Sequence, residues 1–80
     1  KYADSHEVRL NEIHMLSGEK EYYVIWTDAE IPIIKCNIDD ILDNIDDVLA
    51  VSFDTWLISV DMKRLIEFYH EGDITLGNIL

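Results

Sequence analysis

Residues 37–49 read NIDDILDNIDDVL, and the period of this stretch decides the fold. Asn37 is a good N-cap, because its short side chain accepts from the free N–H groups of a first helical turn. Ile38, Ile41, Leu42, Ile45, Val48 and Leu49 then recur at helical spacing, within an arc of roughly 120° at about 100° per residue. Asp39, Asp40, Asp43, Asp46 and Asp47 gather on the opposite side. The spacing predicts one amphipathic helix over 38–49, whose apolar face needs a second layer to cover it.

That layer is legible on both sides. Upstream, EYYVIWT (21–27) is aromatic and β-branched and reads as a strand. Pro32 cannot donate to a ladder and restricts Ile31, so 28–32 is a loop and 33–36 a short edge strand. Val8, Leu10, Ile13 and Met15 make 7–16 the other arm of a hairpin, with a bulge and a turn at 17–20; residues 1–6 are polar and expected to fray. Downstream, AVSFDTWLIS (50–59) reads as a central strand with Val51, Phe53, Thr55 and Leu57 on one face and Ser52, Asp54, Trp56 and Ile58 on the other. Strands over 64–70 and 73–80 follow, joined at Glu71-Gly72, where Gly72 is free to take positive φ. The order ββ-α-βββ predicts an α+β fold of two layers: an antiparallel sheet of about five strands under one amphipathic helix. Without a linker or repeat, 1–80 reads as one acidic domain. Phe53, Phe68 and one of Tyr22 and Tyr23 are its expected aromatic core.

Charge is the strongest global feature: 17 acids against 6 bases give a formal net charge of −11. Such a surface repels nucleic acid, whose binding needs Lys and Arg to displace counterions. It is equally unsuited to anionic membranes. A basic protein is attracted. Cys36 is the single cysteine, which excludes an internal disulfide, and no leader-like or membrane-spanning run is present. These features lead us to expect a cytosolic protein.

The aspartate face is costly for a continuous helix. Asp39–Asp43, Asp43–Asp47, Asp40–Asp43 and Asp43–Asp46 are like-charge neighbours, each unfavourable by about 0.2–0.5 kcal/mol. Asp39 and Asp40 suit the positive end of the helix dipole, whereas Asp46 and Asp47 would sit near its negative end. With the weak helix propensity of Asp, the burden is about 1–2 kcal/mol, against a stability of about 5–10 kcal/mol. No Lys or Arg lies between Cys36 and Met62 to relieve it. The bland alternative is a solvated face. The burden favours a binding face, in which a basic partner relieves the repulsion.

Other chemistries find little support. A calcium loop needs a sharp Gly turn and a closing Glu, whereas these acids are spread along a helix without Gly, so no metal site or cofactor is expected. Nearby acids oppose formation of a Cys36 thiolate. His6, His14 and His70 form no spacing with Ser or Cys that names a nucleophilic motif. An enzyme is not expected. Trp56 shares its face with Asp54, and Tyr69 shares its own with Glu67 and Glu71. If the two faces coincide, aromatics stand among acids, as at an interface with a basic partner. The alternative is a Trp56 partly buried under a loop.

In size, charge, lack of disulfides, the aspartate helix 38–49 and the acidic-aromatic stretches FDTW (53–56) and IEFYHEGDITLG (66–77), the chain resembles the small acidic immunity proteins that bacteria make against their own toxins, including contact-dependent inhibition and colicin-type nuclease toxins. The Tyr-Tyr pair of the helical DNase-colicin immunity proteins is not transferred, because Tyr22-Tyr23 falls in a predicted strand. The resemblance implies a stoichiometric inhibitor that covers the nucleic-acid groove of a basic nuclease domain. Two alternatives remain open at this point: a phage-type nucleic-acid mimic acting on a defence nuclease, and a non-catalytic assembly subunit.

Overall fold

The computed structural model describes residues 2–79, with side chains from Ser5 onward. Lys1, first of the residues expected to fray, and Leu80, last of the final predicted strand, lie outside the described residues. The elements run β1 (Tyr2–Glu7), α1 (Leu10–His14), β2 (Glu21–Trp26), β3 (Ile34–Asn37), α2 (Ile38–Asp43), α3 (Ile45–Leu49), β4 (Thr55–Ser59), β5 (Arg64–Phe68) and β6 (Ile74–Ile79). The six strands form one sheet in the order β1-β6-β5-β4-β2-β3, and every pairing is antiparallel. The fold is α+β, as the sequence predicts.

Alternation sorts the sheet into two faces. On one, Tyr22 and Val24 of β2 pair with Ser59 and Leu57 of β4, and Leu57 pairs with Ile66 of β5. All five are buried, and Tyr22, Val24, Leu57 and Ile66 share one core with Ile13 of α1 and with Ile38, Ile41 and Leu42 of α2. The helices therefore lie on this face. Tyr23, Ile25, Trp56, Ile58, Leu65 and Glu67 alternate onto the other face and are half-buried.

Four expectations need correction. Residues 2–7 are a strand on β6, not a frayed end. Residues 10–14 are a helix, not part of a strand, because Leu10 and Ile13 at i,i+3 supply one apolar edge that Ile13 buries in the core. The 38–49 helix is broken at Asn44, whose φ of −119° and ψ of 28° leave the helical region. Its side-chain Nδ2 donates to the Asp40 carbonyl at 2.9 Å and so competes with the helix ladder. Finally, β4 starts at Thr55, and 50–54 is a loop in which Phe53 is 76% exposed rather than core. Phe68 and Tyr22 take the expected aromatic core positions.

The break changes the electrostatics. Asp46 and Asp47 now occupy the first turn of α3, as Asp39 and Asp40 occupy that of α2. Acids are favoured there rather than penalised. Asn37 caps α2 as expected, its Oδ1 accepting from the Asp39 N–H at 2.8 Å. Much of the burden computed for a continuous helix disappears, leaving the pairs around Asp43.

Candidate functional site

Antiparallel pairing puts the end of β2, the starts of β3, β4 and β6 and the end of β5 at one end of the sheet. Three loops emerge there: 27–33, 50–54 and 69–73. Together they carry Asp28, Glu30, Asp54, Glu71 and Asp73, and no Lys or Arg. The end of α3 joins them, because the Trp26 indole N–H donates to the Val48 carbonyl at 2.9 Å. That contact brings the helix carrying the exposed Asp46 and Asp47 up to the same end. Among the described residues His70 lies within these loops, and Arg9 lies beyond β1 at the sheet's far edge. The opposite end mixes Lys20, Lys63 and Arg64 with Glu19, Glu21, Asp61 and the first-turn Asp39 and Asp40 of α2.

The loops are tied to one another. Thr27 Oγ1 donates to the Asp54 carbonyl at 2.9 Å and accepts from the Asp54 N–H at 3.0 Å. The Thr27 N–H reaches the same carbonyl at 3.2 Å. Across the sheet end, the His70 N–H donates to Asp54 Oδ1 at 2.9 Å, with His70 Nδ1 3.2 Å from that oxygen. The His70 backbone N–H and then its ring hold the Asp54 carboxyl below the usual aspartate range. At the other end the Ser59 hydroxyl lowers Asp61 in the same way.

The ten candidate residues do not form one patch. Asp54, Tyr69 and Glu71 lie in the loops at one end, and Asp46 and Asp47 stand in the first turn of the adjoining α3. Trp56 and Glu67 face each other across β4 and β5, the indole N–H donating to Glu67 Oε2 at 2.7 Å, on the face away from the helices. Asp39 and Asp40 start α2 at the opposite end, beside Lys20, whose carbonyl accepts from the Ile38 N–H at 2.7 Å. Asp43 closes α2 between the two. All five helix aspartates are exposed. Asp28, Glu30 and Asp73 escaped the sequence reading, although counting charge loop by loop brings them out.

No group of three His, Cys, Asp or Glu side chains among the described residues converges as a metal site would. None of the described helices is long and apolar enough to cross a membrane. What the loop end offers is a braced surface on which acids outnumber bases, suited to a positively charged protein face.

Residues 2–77 match the model of the CdiI immunity protein EcoliA0-like family. The chain belongs to that family. It is thus a bacterial immunity protein, an antitoxin that acts by binding a toxin. No curated protein matches it significantly.

Proposed function

We propose that this immunity protein neutralises a basic nuclease toxin by laying its loop end and the adjoining α3 over the toxin's nucleic-acid groove. One observation carries the reading: the three loops at that end hold five acids and no Lys or Arg. Carboxylates fixed on a rigid surface stand where phosphates would, and the toxin's Lys and Arg exchange one set of anions for the other. Inhibition is stoichiometric and needs no turnover by this chain. It takes place in the cytosol, where the groove would otherwise meet nucleic acid. The family match favours a toxin over a defence nuclease as the target.

Charge reversal tests this. Asp46→Lys combined with Asp47→Lys should slow association with the cognate toxin domain about tenfold or more at low salt and flatten the salt dependence. Asp43→Lys combined with Asp47→Lys should do so less, since Asp43 lies farther from the loop end. Relief of the Asp43 repulsions is offset by loss of a favoured acid from the first turn of α3, so the free protein should keep its stability within about 1 kcal/mol. Unchanged association rates in both variants, or a toxin whose activity is not on nucleic acid, would refute the proposal.

A further inference from the structure

Resting on that reading of the partner, we infer that Phe53 is an apolar anchor that enters a pocket on the toxin, with the surrounding acids meeting Lys or Arg on the pocket's rim. A single exposed apolar side chain needs no explanation. Here, though, Ile33, Val51, Phe53 and Tyr69 all sit in the loops of the acidic end. They make up four of the seven large apolar side chains that are exposed among the described residues. Phe53 at 76% exposure is the foremost of them.

Its loop is held in place. Asp54, the next residue, is tied to Thr27 on one side and to His70 on the other. The Phe53 ring meets the His70 ring edge-on, with centroids 5.7 Å apart and planes at 62°. Beside it, Thr27, Asp28, Ala50 and Val51 line a shallow cleft. An aromatic ring held out in water by a braced loop loses little conformational freedom when it is buried by a partner, and rigid aromatic anchors dominate binding energy for that reason.

The rim selects the occupant. Asp28, Asp54, Glu71 and Asp73 disfavour an anionic membrane, and they disfavour a second copy of this chain, whose own loop end is equally acidic. A basic protein with an apolar pocket satisfies both the ring and its surroundings.

The test uses the full chain and a catalytically inactive form of the toxin domain encoded by the neighbouring reading frame. Phe53→Ala should raise Kd by about 30-fold or more, mostly through faster dissociation, with the association rate within about twofold and the salt slope unchanged. Its urea midpoint should match that of the unaltered chain, because an exposed ring contributes little to folding. Met15→Ala removes a side chain that is also 76% exposed, from the segment after α1, and should bind as the unaltered chain does. The inference is overturned if Phe53→Ala binds within about threefold of the unaltered chain, or if Met15→Ala costs as much. It is also overturned if Phe53→Ala converts a dimer of this chain to monomer, which would assign the ring to self-contact. Failure of the unaltered chain to bind overturns this inference together with the proposed function, whereas Phe53→Ala binding as the unaltered chain does, with the charge-reversed variants slowed, overturns this inference alone.

Discussion

His70 grips Asp54 twice, its backbone N–H 2.9 Å and its ring Nδ1 3.2 Å from the same carboxylate oxygen. Both contacts favour the ionised carboxylate, so folding lowers the affinity of Asp54 for its proton. The stabilisation is therefore complete above the ordinary aspartate pKa and fades as pH falls through it toward the depressed folded value. Asp54→Asn should thus destabilise the protein at pH 7, and the gap from the unaltered chain should narrow by pH 3. Urea unfolding at the two pH values checks this. A gap as wide at pH 3 as at pH 7 would show that the carboxylate's charge plays no part.

The Trp56–Glu67 pair yields a second expectation. The indole N–H donates to a carboxylate on a half-buried sheet face, where hydrogen bonds to charged groups count for more than neutral ones. Trp56→Phe keeps most of the ring but loses the donor, and should cost about 1–2 kcal/mol. Glu67→Gln keeps an acceptor oxygen and should cost less. Denaturant midpoints of the two variants set the order, and a reversed order counts against the bond.

Thr55 lies at 1% exposure in β4, and its hydroxyl has no hydrogen-bond partner among the described residues. A buried hydroxyl without a partner carries an uncompensated desolvation cost. Thr55→Val keeps the branched shape and removes the polar atom, so it should raise stability by about 1 kcal/mol. Thermal unfolding measures it. A lower midpoint would mean that the hydroxyl is satisfied in solution.

The parts of the fold visible in the sequence are those whose residues answer to the core. Tyr22, Val24, Leu57, Ile66 and Phe68 all point into it, and their strands are readable from alternation. Gly72, with φ of 104°, marks the β5–β6 turn as expected. β1 was not readable, because YADSHE owes its strand to pairing with β6 and not to an apolar period of its own. The break at Asn44 was hidden because Ile45, Val48 and Leu49 keep helical spacing across it. Phe53 misled because alternation through Val51, Phe53 and Thr55 continues the period of β4 into a loop. Of the candidate site, the acid clusters were legible as composition. Their division between the two ends of the sheet was not, since it depends on which strand termini the topology brings together.

The uneven placement of charge has a mechanical consequence. With Asp28, Glu30, Asp54, Glu71 and Asp73 at one end of the strands and Lys20, Lys63 and Arg64 partly offsetting the acids at the other, the negative charge is weighted toward the loops. Near any positively charged body it experiences a torque that swings the loops forward before contact. Fewer collisions then arrive in the wrong orientation, and the first touch already resembles the final pose.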